Sequence, residues 1–238
     1  MATIKIGATP GNRLEAGASI LAAARMTDMR LVKDRLTAFE RVHRAYGEAQ
    51  RKVDAVEKQL TAAQQRVSEC DAVQDEAVEA LARALVGDGQ PREKPFAAFG
   101  GPSPAAIKHL SLAAEAKTLS ALIAALQRSK ALSKPTLQTV RDVEKAVRAV
   151  AQAHAPIDKL TAALHEARRT RDAIGGNWET ALGALKRGTR AAADDGAPQL
   201  YASLFERPTR PSGKNGKRTP APPVEPPAEP PAEPAKSA

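Results

Sequence analysis

Four histidines and one cysteine are the side chains in this chain best suited to catalysis or to holding a metal. Their spacing serves neither. Glu40 and His43 repeat the Glu-x-x-His spacing of di-iron helical bundles, since residues three apart on a helix share a face. Such a site needs a second copy of the pair and two further carboxylates, and His109, His154 and His165 are each preceded at that spacing by alanine. Glu40 and His43 therefore read as neighbours on a solvated helix flank, and His154 as a core histidine. His154 and His165 stand eleven residues apart, about 16 Å along a helix, and cannot share an ion. Cys70 has no adjacent base or cation to make it a thiolate, so it reads as a small packing residue. Gly213 to Thr219 (GKNGKRT) imitates a phosphate loop, but the required first glycine falls at Pro211 and no strand precedes it. No serine has the setting of a nucleophile. These residues point away from an enzyme and imply no catalytic group, no metal and no cofactor.

The elements that carry these residues are helices. From residue 32 to residue 84 a seven-residue rhythm runs unbroken, with a large series of Val32, Phe39, Tyr46, Val53, Leu60, Val67, Gln74 and Leu81. Its interleaved small series is Arg35, Val42, Ala49, Val56, Ala63, Cys70, Ala77 and Ala84. Strands alternate with period two and cannot use this spacing, whereas an α-helix under-wound to 3.5 residues per turn keeps both series facing a partner. The fold class expected is all-α: a long antiparallel coiled-coil helical hairpin or an elongated helical bundle. Aromatic residues make up only 3% of the chain, which suits thin, alanine-lined helices better than a thick globular core.

Residues 1–12 read as a flexible lead-in, and residues 13–196 as the helical region. The arms are expected at about 31–87 and 104–192, with Gly87 closing the first and a tip loop over 88–103. Ser103 followed by Pro104 is a helix-start signal. Beyond it Leu112, Leu119, Leu122 and Leu126 begin a heptad that Val140, Val143, Val147 and Val150 continue in the same frame. Because phase is kept across Pro135, a kinked continuous arm is expected there rather than a reversal. Beyond Pro156 the pattern suggests a rotated seam. A tip centred near residue 96 would set Leu60 against residues 128–136. Residues 197–206 form a short apolar segment. Residues 207–238 read as a disordered basic, then Pro/Ala/Glu-rich tail, since proline this dense forbids helix and sheet.

Charge is uneven. Residues 31–87 carry nine Lys and Arg against ten Asp and Glu, residues 105–160 nine against four, and residues 207–219 five against none. The basic zones are a helix face that includes Lys108, Lys117, Arg128, Lys134, Arg141 and Lys145, and the tail residues Arg207, Arg210, Lys214, Lys217 and Arg218. They are the candidate polyanion-binding residues, for nucleic acid, anionic lipid or acidic protein alike. Phe96 and Phe99 in the tip loop are candidates for partner binding, or else they plug the open end of the hairpin. Leu200, Tyr201, Leu204 and Phe205 are likewise either a short docking motif or a cap on the hairpin base.

No apolar run reaches the roughly 20 residues that span a bilayer, so no integral membrane segment is expected. Residues 16–24 weakly imitate a signal peptide, against which Glu15 and Gly17 argue. A single cysteine suits a reducing compartment, and a cytoplasmic location is expected. The function these features suggest is a non-enzymatic scaffold or adaptor that binds a protein partner or itself through helices, with nucleic-acid binding through the basic zones as the alternative. Cutting the chain after Arg207 should leave helix content and melting temperature nearly unchanged, because the proline repeats offer no apolar area to bury. A melt lowered by several degrees would show that the tail docks.

Overall fold

The computed structural model describes residues 9–206; the expected tail, residues 1–8 of the lead-in and the candidates Arg207, Arg210, Lys214, Lys217 and Arg218 lie outside them. Among the described residues the chain is all-α with no strand: α1 Pro10–Arg25, α2 Lys33–Gly87, α3 Pro104–Lys108, α4 Leu112–Arg128, α5 Lys134–His154, α6 Ile157–Ala191 and α7 Leu200–Phe205. The first helix begins earlier than the sequence suggests. Thr9 caps it, with its side chain accepting from the Asn12 amide at 3.4 Å, and Pro10 occupies the position where a missing N–H costs nothing. Residues 16–24 are part of this helix, with Ile20 and Ala24 buried.

Helix α2 spans 55 residues, about 80 Å at 1.5 Å per residue. Its large heptad series is buried at both ends and half-buried at Leu60 and Val67 in the middle. The helix closes through Gly89, not Gly87: Gly89 has φ 93°, its N–H reaches the Val86 carbonyl, and the Gln90 N–H reaches that of Leu85, both at 3.0 Å.

Helices α5 and α6 pack antiparallel along α2. The numbers of facing residues add to about 220: the Thr136 hydroxyl reaches the Ala84 carbonyl at 3.5 Å, Arg168 reaches Glu57 at 2.5 Å, and Trp178 reaches His43 at 3.2 Å. The expected tip centre would have given about 192, so Leu60 lies level with Leu160 rather than with residues 128–136. The difference of about 28 matches the length of residues 104–133, which the structure takes out of the arm.

The continuous second arm is therefore corrected. At Ser129 the backbone turns extended (ψ 129°), and at Ser133 (ψ 156°) a new helix starts with the Ser133 hydroxyl accepting from the Thr136 amide at 3.4 Å. The Ser133 amide in turn donates to Asp88 at 3.1 Å, which ties this start to the end of α2. Helix α4 folds back against α5. Phase survives the reversal because α5 packs against both α2 and α4: Val140 and Val143 are buried in the distal core, and Val147 and Val150 line a groove shared with α4. Pro156 does not rotate the seam with α2. Burial continues in one heptad frame from Val143, Val150 and Ile157 through Leu164 to Trp178 and Leu185, with Ile157 only half-buried. Proline interrupts the helix between His154 and Ile157 without shifting that frame.

The result is two four-helix ends joined by a two-helix neck. At the base, α1 and α7 close over α2 and α6 around Phe39, Tyr46, Trp178 and Leu185. At the distal end, α3, α4 and α5 close over α2 around Leu81, Leu85, Phe96, Leu119 and Leu126. Between Val53 and Cys70 no residue of α2 is buried. Helices α1 and α3 lie on the same flank of α2, touching it at Gly47 and at Asp75, four heptads apart. In the neck that flank carries Asp54, Glu57, Thr61, Gln64 and Ser68, which give a third helix nothing apolar to bury. Phe96→Ala should destabilise the protein by about 3–5 kcal/mol, the usual cost of deleting a fully buried ring. Urea unfolding measures it, and a change within about 0.5 kcal/mol would contradict the packing.

Candidate functional site

Phe96 is 0% exposed and closes the distal core, and Phe99 is half-buried against the same core. The loop that carries both rings is pinned at Gly101, where an added Cβ would lie 2.9 Å from Phe96 Cβ and 3.0 Å from Leu122 Cδ1. Leu200, Leu204 and Phe205 are buried in the base core. Tyr201 is half-buried, with its hydroxyl accepting from Arg190 at 3.0 Å and that guanidinium 4.5 Å from the ring centre. Of the six apolar candidates, then, Phe99 and Tyr201 alone keep partial exposure, and the six are divided between opposite ends of the molecule.

The basic face on the second arm is dispersed by the reversal at Ser129. Lys108 is engaged by Asp75 at 3.7 Å and Glu79 at 2.6 Å, which raises the lysine's pKa, mainly through the Glu79 hydrogen bond. Arg148 pairs with Glu144 one turn away. Arg128, Lys130 and Lys134 converge at the α4–α5 turn, all exposed, and among the described residues none of the three forms an ion pair.

The histidines stand apart from one another. His43 is not on a solvated flank: its ring stacks on Phe39 at 6.0 Å, and its Nδ1 accepts from the Trp178 indole at 3.2 Å. Gly17 of α1 is what leaves it room, since a Cβ there would lie 2.3 Å from Nδ1. His154 is exposed rather than core, because the seam passes through Val150 and Ala153 instead. Cys70 is buried on the seam. Among the described residues no group of three or more His, Cys, Asp or Glu side chains is placed to hold a metal ion.

The site that the sequence did not single out is an apolar groove of about 480 Å³, where the start of α4 splays from the end of α5. Leu112, Ala116, Val147 and Ala151 form its walls, Gln74 of α2 its floor and His154 its rim. The floor is held by a buried contact, Gln74 Nε2 donating to Glu115 Oε1 at 2.7 Å. Burial raises the Glu115 pKa, and Asp71 and Asp75 add to the effect against the Gln74 hydrogen bond. Two exposed apolar side chains, Val73 and Leu110, adjoin Gln74 and Ser111 of the lining in sequence. The one visible signal is a glutamine at a large-series position of the heptad, where apolar packing is the rule. No family model, curated protein or solved structure matches the chain.

Burial lowers the His43 pKa from 6.5, so the unfolded chain takes up its proton first as pH falls. The His43 contribution to stability is complete above pH 6.5 and is lost as pH drops through the lowered folded value. Glu115, with its raised pKa, works in the opposite sense above pH 4.5. Comparison of the parent with His43→Asn, which keeps an acceptor for Trp178, cancels the Glu115 part. The melting temperature of the parent should fall more steeply than that of the variant from about pH 7 to about pH 5. Parallel curves would contradict a His43 buried in its neutral form.

Proposed function

We propose that this chain is a non-enzymatic scaffold or adaptor. In this reading α2 and the α5–α6 arm form a long antiparallel coiled-coil hairpin that acts as a spacer, and a helical partner, either another protein or a second copy, docks at the distal end. The observation that carries it is the apolar groove beside α4, flanked by exposed Val73 and Leu110. A helix laid in a groove buries apolar surface of this kind through residues at i, i+3, i+4 and i+7. The neck supports a spacing role rather than a docking one, since its free flank is polar.

Affinity capture and light-scattering mass measurement test the reading. A bound protein or a mass above the 25.1 kDa of one chain is expected, and Ala151→Arg together with Ala116→Arg should abolish either while helix content is kept. A chain that stays monomeric and captures nothing contradicts it.

The alternative, nucleic-acid binding, draws support from the exposed Arg128, Lys130 and Lys134 at the distal turn. Duplex DNA should then be retarded at about 50 mM salt, and neutralising these three should flatten the salt dependence of log affinity by roughly 0.9 for each phosphate no longer engaged. No retardation at that salt removes this alternative.

A further inference from the structure

We propose that the turn joining α1 to α2, at the base of the molecule, docks on an anionic lipid bilayer. Met26 is 88% exposed, the most of any large apolar residue described, and Leu31 is 55% exposed. The fold does not need them outward. Met29 and Val32 of the same turn already supply its inward anchors, at 9% and 4% exposure in the base core.

Cations outnumber anions at this end of the molecule. The turn and the first residues of α2 carry Arg25, Arg30, Lys33 and Arg35 against Asp28 and Asp34, and Arg30 holds Asp28 at 2.6 Å. The last turns of α6 reach the same end with Lys186, Arg187 and Arg190, ahead of Asp194 and Asp195. Helix α7 packs on α1 at this end.

The combination selects the partner. Duplex nucleic acid would engage the cations and leave Met26 and Leu31 in water. A folded acidic protein would have to supply a pocket for two side chains that stand out from a turn. An anionic bilayer rewards both at once, its phosphates meeting the cations and its deformable acyl boundary taking the apolar pair. Among the described residues no helix is long and apolar enough to cross a membrane, so attachment would be peripheral. This inference goes beyond the scaffold reading and uses the opposite end of the molecule from the groove.

Co-sedimentation of the full chain with vesicles tests it, comparing phosphatidylcholine containing about one third phosphatidylglycerol with phosphatidylcholine alone at low salt. Binding to the anionic vesicles only is expected. Met26→Ser with Leu31→Ser should lower the partition at least about tenfold with unchanged circular dichroism, since burial of the two side chains together is favourable by more than the tenfold step requires. Equal binding to neutral vesicles, no binding to anionic ones, or a double variant that partitions like the parent would each overturn the proposal. So would duplex DNA competing the chain off the vesicles at equal phosphate while Met26 and Leu31 leave that competition unchanged. Groove variants at Ala116 and Ala151 should sediment as the parent does, so failure here is separable from failure of the scaffold reading.

Discussion

A 55-residue helix whose apolar residues form one narrow seam cannot stay folded in water unless that seam is covered, and most other described elements are placed by how they cover α2, with α7 packing on α1 and α6 instead. Helices α5 and α6 run along it from the distal turn to the base. Where α2 also shows apolar residues on a second face, a third helix is present; where that face turns polar, none is. The neck is thin because Asp54, Glu57, Thr61, Gln64 and Ser68 stand where an apolar stripe would have to continue.

The same rule explains the polar contacts. Glu57 and Arg168 join the two neck helices at 2.5 Å, on a surface where exposed pairs contribute at most about 1 kcal/mol each, so they align the helices more than they hold them. The holding is done at the ends, where Trp178, Tyr46, Phe39, Phe96 and Leu81 are fully covered. Two buried polar contacts lie there, the Trp178 indole donating to His43 and Gln74 donating to Glu115, while the buried Tyr46 hydroxyl and Arg13 Nε have no hydrogen-bond partner. The free distal groove and the exposed base turn are then the surfaces left over after α2 has been covered, at opposite ends of the spacer.

Much of this is legible in the residues. The heptad from Val32 to Leu81 marks α2 and its buried face, and Ser103 with Pro104 marks the start of α3. The apolar spacing of Leu200, Leu204 and Phe205 marks a short apolar face, which by itself fits a base cap and a docking motif alike; the fold buries all three at the base. The reversal before α5 escapes the heptad pattern because phase reports which side of a helix is apolar, not which way the chain runs. Leu119 and Val140 keep one frame although they lie on helices of opposite direction. A local signal stands beside it: Ser133-Lys134-Pro135 repeats the serine-then-proline start of Ser103, with Ser129 available to end the preceding helix. The groove has no motif to announce it, because it arises from residues of α2, α4 and α5 that only the fold brings together. His43 is misplaced by the sequence for a similar reason: its cover comes from Gly17 and Trp178, far away along the chain.

The central claim is the register of α2 against the returning arm with residues 104–133 folded out of it. Paired cysteines read it directly, in a Cys70→Ser background treated with a short bis-maleimide cross-linker, which spans the reach of the long native side chains where a disulfide would not. Glu57→Cys with Arg168→Cys should close intramolecularly in high yield, since the tips of the native side chains meet there. A pair that fails to close, while Leu60→Cys with Leu132→Cys does, would contradict the register and restore the continuous second arm.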